Sequence, residues 1–197
     1  TAVAKGPLVV ARKSLAATGN QNFGYFGGGS PGPLSIVDRI DYSNDTVAAP
    51  AKGPLSIARG YLAASSARAN GFAATDTTLP PSNSPTQTYP VTFFGYFAGG
   101  TSPGARSTVD RINYTNDTAT ASTKGSLSSA RSYLRATGNA DFGYFGGGRS
   151  PSVTQTTTVD RIDYSNDTVA ATEVGPLITG RRLSAATGNQ NFGYFGG

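Results

Sequence analysis

The chain contains no cysteine, no histidine, no methionine and no tryptophan. Without cysteine there is no disulfide frame, no thiolate nucleophile and no soft metal site. Without histidine the usual near-neutral acid/base group and the commonest metal ligand disappear together. Charge is scarce as well, at 14% of residues. No apolar run approaches the ~18–20 residues of a membrane span, and no signal-peptide pattern is visible. A chain that opens on Thr1 is expected to be cut from something longer, with any secretory signal outside this stretch.

These absences argue against catalysis. A Ser-His-Asp triad is impossible. Paired carboxylates such as Asp38/Asp41 are the other route to acid/base work. The same pair recurs as Asp160/Asp163 and as Asp110/Asn113, and repetition at equivalent places is what a structural motif does. Gly27-Gly28-Gly29 is followed by no Lys-Ser/Thr, so a phosphate loop is not supported. Asn44-Asp45 lacks the spaced oxygen ligands of a calcium site. The expectation is a non-enzyme with no catalytic residue, no cofactor and no metal.

What the chain does have is turn chemistry and aromatics: 26 Gly, 12 Pro, 10 Tyr and 10 Phe. That composition with so little charge suits an all-β chain of short strands. It also has repetition. Phe23-Gly-Tyr-Phe-Gly-Gly28 returns as Phe142–Gly147 and Phe192–Gly197, and with one alanine as Phe94–Gly100. Aligning the copies gives a unit of four pieces. A Gly-Pro-Leu turn runs to Arg12, Arg59, Arg131 and Arg181. A small-residue strand follows, Leu15–Thr18, Leu134–Thr137 or Ser184–Thr187, and stops at a Gly-Asn turn. The aromatic hexapeptide is the second strand; both of its faces carry rings, as for a strand between two neighbouring sheets. The third strand is Val37–Tyr42, Val109–Tyr114 or Val159–Tyr164, in which Arg39 is positioned to pair with Asp41. Ser43-Asn44-Asp45 turns the chain, and a fourth strand is read at Thr46–Ala49.

Four short strands per ~48–50 residues is the pattern of a propeller blade rather than a solenoid coil. The order Arg, small-residue strand, aromatic strand ending in Gly-Gly, then a strand ending in Asp/Asn-Tyr, resembles kelch-type β-propeller repeats. Val47, Ala119 and Val169 stand where kelch blades usually carry a tryptophan. The resemblance implies a propeller of at least four blades in one repeat domain. Residues 1–5 are a partial blade, 6–52 blade 1, 53–124 blade 2, 125–174 blade 3 and 175–197 a partial blade 4. The oxidase chemistry of kelch-like galactose oxidase needs His and a modified Cys, and the chain has neither.

Blade 2 carries a Pro/Ser/Thr-rich insertion at about 66–92. Two placements fit its first strand, Leu62–Ser65 or Phe72–Thr75. The last blade lacks a third strand, so either the array continues in a longer polypeptide or a neighbouring copy supplies the pairing.

Net charge is +5, with Arg39, Arg111 and Arg161 each beside an aspartate; locally paired charge argues against nucleic acid. The expected partners are neighbouring copies or flanking repeats and a host-surface or glycan ligand, with no membrane insertion. Tyr25, Tyr96, Tyr144 and Tyr194 are the aromatics a sugar site would use, and buried core is their competing fate. Asn44, Asn116 and Asn166 head Asn-Asp-Thr acceptors at exposed turns and are candidate N-glycosylation sites; the alternative is that Asn-Asp simply makes the turn. Asn113-Tyr-Thr115 fits the same pattern inside a strand. Near-identical repeats without oxidisable residues are similar to phage and environmental microbial surface proteins, which implies an extracellular or virion-associated fibre, tail fibre or appendage. An intracellular kelch adaptor and a carbohydrate-binding lectin-like propeller are the alternatives.

Overall fold

The computed structural model describes residues 2–66, 94–152 and 154–197. They form an all-β structure of antiparallel sheets, one per repeat. The first sheet has the order β1 (Ala16–Gly19), β2 (Phe23–Gly27), β3 (Val37–Asp41). The second runs β4 (Ala63–Ser66), β5 (Phe94–Ala98), β6 (Val109–Asn113), β7 (Ser122–Lys124). The third runs β8 (Arg135–Gly138), β9 (Phe142–Gly146), β10 (Val159–Asp163), β11 (Thr172–Val174). The hairpin β12 (Ala185–Gly188), β13 (Gly193–Gly196) stands alone. The first strands of successive repeats lie side by side, β1 next to β4, β4 next to β8 and β8 next to β12. No closed ring of sheets is formed among the described residues.

Register is the same in each sheet. Tyr25 lies opposite Thr18 and Arg39, Tyr96 opposite Ser65 and Arg111, and Tyr144 opposite Thr137 and Arg161. In the first and third sheets and in the last hairpin the Gly-Asn turns set it. Asn20 Oδ1 accepts the backbone N–H groups of Asn22 and Phe23 at 2.8 and 2.9 Å, and Asn139 and Asn189 do the same for their own turns. An asparagine that bonds its own backbone closes the hairpin at a fixed length.

The core lies between sheets, as the two-faced aromatic strand implies. Tyr25, Val37, Phe97 and Ile112 pack together between the first and second sheets; Tyr96, Val109, Phe145 and Ile162 do so between the second and third. Phe97 lies over Gly27, where an added Cβ would come within 2.7 Å of its ring. The glycine is therefore the floor on which the neighbouring ring rests.

Three expectations need correction. The fourth strand is not Thr46–Ala49 or its equivalents. It begins at Ser122 and Thr172, and in the first sheet it is a single bridge between Asp38 and Ala51. Ala49, Ala121 and Ala171 are instead buried at the end of the turn, their N–H groups bonded to the carbonyls of Pro7, Pro54 and Ser126. Second, Arg39 does not pair with Asp41. Asp41 caps the next turn through Ser43, and Arg39 reaches Asp117 of the next repeat. Third, Asp38, Asp110 and Asp160 pair with Arg12, Arg59 and Arg131 and not with the arginines beside them. Of the two placements for blade 2, the structure has β4 at Ala63–Ser66; Phe72–Thr75 and all but the first residue of the insertion lie outside the described residues.

Candidate functional site

Each of the three larger sheets is pinned by one buried ion pair. Arg12 meets Asp38 at 2.8 Å and Arg59 meets Asp110 at 2.9 Å, and Arg131 meets Asp160 in the same way, with all six side chains fully buried. A guanidinium nitrogen of each donates to a carbonyl of the aromatic strand, Phe26, Phe97 or Phe145; in Arg131 it is the nitrogen that also meets Asp160, and the other donates to the carbonyls of Gly147 and Thr158. Burial pulls the Arg59 and Arg131 pKa values down, and the facing aspartates oppose that shift. The three pairs are not equally well solvated by protein. Ser56 Oγ donates to Asp110 Oδ1, whereas Asp38 Oδ1 and Asp160 Oδ1 have no hydrogen-bond partner among the described residues; Val9 stands in the place of Ser56 with no hydroxyl to offer, and Ser128 reaches Asp160 only through its backbone N. Val9→Ser is expected to add about 1 kcal/mol of stability by satisfying Asp38 Oδ1, read as a higher urea midpoint at unchanged slope.

A second aspartate joins each sheet to the one before. Asp117 accepts from Tyr25 Oη at 2.9 Å and Arg39 Nη1 at 2.7 Å, with Lys52 Nζ at 3.3 Å. Asp167 takes the same three partners one repeat later: Tyr96 at 2.9 Å, Arg111 at 2.7 Å and Lys124 at 3.5 Å. Above them, Tyr114 stacks on Tyr25 with ring centroids 4.6 Å apart, and Tyr164 stacks on Tyr96 at 4.9 Å. The Tyr114 hydroxyl bonds Thr18 Oγ1 at 3.0 Å and the Tyr164 hydroxyl bonds Ser65 Oγ at 2.8 Å, both across the seam. Arg39 and Arg111 also lie over the rings of Phe23 and Phe94 at 4.3 and 4.1 Å, a cation–π contact that flattens each guanidinium against its own sheet.

Burial pushes the hydroxyls of Tyr25, Tyr96, Tyr114 and Tyr164 well above the ordinary tyrosine range; the Asp117 and Asp167 charges add to this for Tyr25 and Tyr96. The sign follows directly. Below pH ~10 both folded and unfolded chains hold these protons, and above it the unfolded chain alone releases them. Stability is therefore flat up to about pH 10 and then falls by ~1.4 kcal/mol per pH unit for each such tyrosine. Far-ultraviolet circular dichroism should show cooperative alkaline unfolding there, concurrent with tyrosinate absorbance rather than following it.

The sequence-predicted acceptors Asn44, Asn116 and Asn166 are all exposed, each with its Oδ1 3.4 Å from the hydroxyl of the threonine two residues on. The middle residue of the same motif turns inward as Asp117 or Asp167, so one Asn-Asp-Thr turn points its asparagine to solvent and its aspartate into the seam. Asn113 is engaged, its Oδ1 accepting from Thr115 N and Oγ1 at 2.9 and 2.7 Å. Tyr25 and Tyr96 are fully buried, while Tyr194 is exposed. Among the described residues no three His, Cys, Asp or Glu side chains gather as a metal site.

The opposite end of the sheets holds what sequence reasoning missed. Ser14, Tyr61, Tyr133 and Leu183 occupy equivalent positions, two residues after the repeat arginine, and all have φ between 56° and 59°. Side chains other than glycine and asparagine rarely adopt this left-handed conformation. It is held by a backbone relay from sheet to sheet: Tyr61 N to Ser14 O at 2.8 Å, Tyr133 N to Tyr61 O at 2.8 Å, and Leu183 N to Tyr133 O at 3.2 Å. The sequence carries no signal for it: the position is Ser, Tyr, Tyr or Leu, and the residue before it, Lys13, Gly60, Ser132 or Arg182, varies as well. Tyr61 and Tyr133 pack on one another with centroids 4.3 Å apart, and Arg182 sits 6.0 Å from the Tyr133 ring. They border a groove of about 490 Å³ whose wall also includes Ser14, Arg135 and Leu183. No family model matches the chain and no curated protein matches it, so the kelch likeness rests on the Gly-Gly and Asp-Tyr motifs themselves.

Proposed function

We propose that the chain is a non-enzymatic structural and binding module, a stretch of kelch-like β-propeller carried on the outside of a cell or virion as part of a fibre or appendage. It acts through assembly and surface recognition. The observation that carries this reading is the seam. The same aspartate, tyrosine pair, arginine and lysine join the first sheet to the second and the second to the third. Buried charge is thereby committed to holding repeats in register, while one end of the sheets carries a position that differs between repeats, Ser14, Tyr61, Tyr133 and Leu183. A scaffold that repeats its joints and varies its rim is suited to display rather than turnover.

The propeller reading is supported by the alignment of β1, β4, β8 and β12. Immunogold labelling of source material with an antibody to the chain should decorate surface appendages; label confined to the cell interior would favour the adaptor reading. Asn44, Asn116 and Asn166 are accessible enough to carry sugar in a secretory context. Intact mass of the native protein checks this directly, a bare peptide mass removing the glycoprotein reading.

A further inference from the structure

We infer that the end of the sheets bearing Tyr61 and Tyr133 is a binding site for an acidic polysaccharide, one whose sugar rings carry carboxylates. This rests on the surface-recognition reading above and names the ligand class for it.

Charge bookkeeping over the fold is the first support. The register places the segments before β1, β4, β8 and β12, and the loops from β2 to β3, β5 to β6 and β9 to β10, at one common end. The stretches 2–37, 94–109 and 142–159, which supply much of that end, contain no Asp or Glu at all. The aspartates of the described residues are either locked in the buried pairs and seams or, as Asp41, Asp45, Asp141 and Asp163, sit at the opposite end; the single glutamate, Glu173, is exposed in β11 opposite Asp160. The cations are not balanced in the same way. Lys13, Arg106, Arg135, Arg149 and Arg182 belong to this end; among the described residues Glu173 is the one acid nearby, and none of the five makes a salt bridge. The net positive charge of the chain is thus concentrated on one face, where it sets up an outward field.

The groove supplies the second support. It has a floor of small side chains, Ala16, Ala63 and Ala136, with Tyr61, Tyr133 and Arg135 on its wall. Its volume of about 490 Å³ falls within the ~300–1,000 Å³ range of small-ligand clefts and has room for a short run of sugar rings. Arg135 is held in place by donating Nε to Ser184 O at 2.6 Å. A guanidinium presents fixed donors that match a carboxylate, and tyrosines offer both an apolar ring and a hydroxyl.

The third support is strain. Four equivalent side chains are held left-handed around this groove by the backbone relay. Such positions persist only where surrounding structure enforces them, and they cluster at ligand sites. A glycine there would meet the backbone requirement without strain, yet two of the four positions carry tyrosine.

A single-stranded nucleic acid is the competing polyanion. It needs open aromatic faces on which bases stack and a continuous cationic track. Tyr61 and Tyr133 already cover one another, and the five cations stand on separate segments, which suits discrete carboxylates better.

The test titrates an oligogalacturonate of four to six residues into the full chain, followed by calorimetry. Binding is expected, weakening at least threefold between 50 and 200 mM NaCl. A Lys13→Ala/Arg182→Ala variant, both side chains exposed and outside the ion-paired set, should weaken it by at least tenfold. Tyr61→Leu should do likewise at an unchanged melting temperature, and Lys5→Ala, in the segment that meets the Asn-Asp-Thr turn, should not alter it. Absence of oligogalacturonate binding overturns the assignment, as does equal binding of a neutral glucan of the same length. So does tighter binding of a dT10 oligonucleotide that is lost in the same variants, which would mark the face as a nucleic-acid site. None of these results bears on the surface labelling or the seams, so the ligand can be wrong while the scaffold reading stands.

Discussion

Asp110→Ala is expected to destabilise the chain by about 3–5 kcal/mol, a large part of the stability of a domain this size. The Asp110 side chain is fully buried, and it accepts from Arg59 at 2.9 Å, from Ser56 Oγ and from Ser56 N. Removing it strands the Arg59 guanidinium away from water, with the Phe97 and Ile57 carbonyls as its remaining partners among the described residues. A charge in that position loses its solvation and receives nothing equivalent in return. The same logic predicts an asymmetry. Arg59→Met combined with Asp110→Leu should cost markedly less than Asp110→Ala alone, because a buried pair replaced by apolar side chains leaves no orphan. Urea denaturation of the two variants decides between this and a surface-like pair, for which both would lie within about 1 kcal/mol of the parent.

The second large effect comes from a glycine. In Gly53→Ala the new Cβ would lie 1.7 Å from Ala119 O and 2.3 Å from its carbonyl carbon. No side chain is there to give way; the obstruction is the backbone of the turn that carries Asp117. Gly53 N also donates to Asp117 O at 2.7 Å, so the clash opens a seam and breaks a hydrogen bond together. A loss of about 3 kcal/mol is expected, in the range reserved for named steric mechanisms. Gly104→Ala is the control. Among the described residues nothing lies within 4 Å of its Cβ position and its φ is unremarkable, so its melting temperature should stay within a degree or two or rise slightly. Gly125, whose Cβ would fall 1.9 Å from Val169 O, should behave as Gly53 does.

Much of the fold is legible in the chain because its determinants are local. The Gly-Asn turn, the Phe-Gly-Tyr-Phe strand and the Val-Asp-Arg-Ile strand each announce themselves within a few residues, and β2, β3, β5, β6, β9 and β10 fall within the spans read from the sequence. The fourth strand was misplaced for a physical reason. Thr-Val-Ala-Ala has the look of a strand, but its last alanine is used as a small buried residue that lets the turn approach the neighbouring Gly-Pro segment. Strand propensity yielded to packing there.

The seams were not legible, because the groups that meet are far apart in the chain. Tyr25 and Asp117 are separated by 92 positions and Arg39 and Asp117 by 78. In sequence, Arg39 has Asp38 and Asp41 as obvious neighbours, and only the register shows that neither is its partner. The cation-rich end escaped for the same reason. Formal charge alone suggests local cancellation, and it takes the pairing of each aspartate to show which arginines are left over.

The account stands on the claim that successive repeats are locked face to face through one tyrosine–aspartate contact per seam. A double-mutant cycle on Tyr96→Phe and Asp167→Asn measures that contact directly, since the two side chains meet at 2.9 Å across 71 positions of sequence. Coupling above about 0.5 kcal/mol, with Tyr25→Phe and Asp117→Asn giving a similar value, is the predicted result. Strict additivity at both seams would mean the repeats do not touch in this way, and the architecture described here would be wrong.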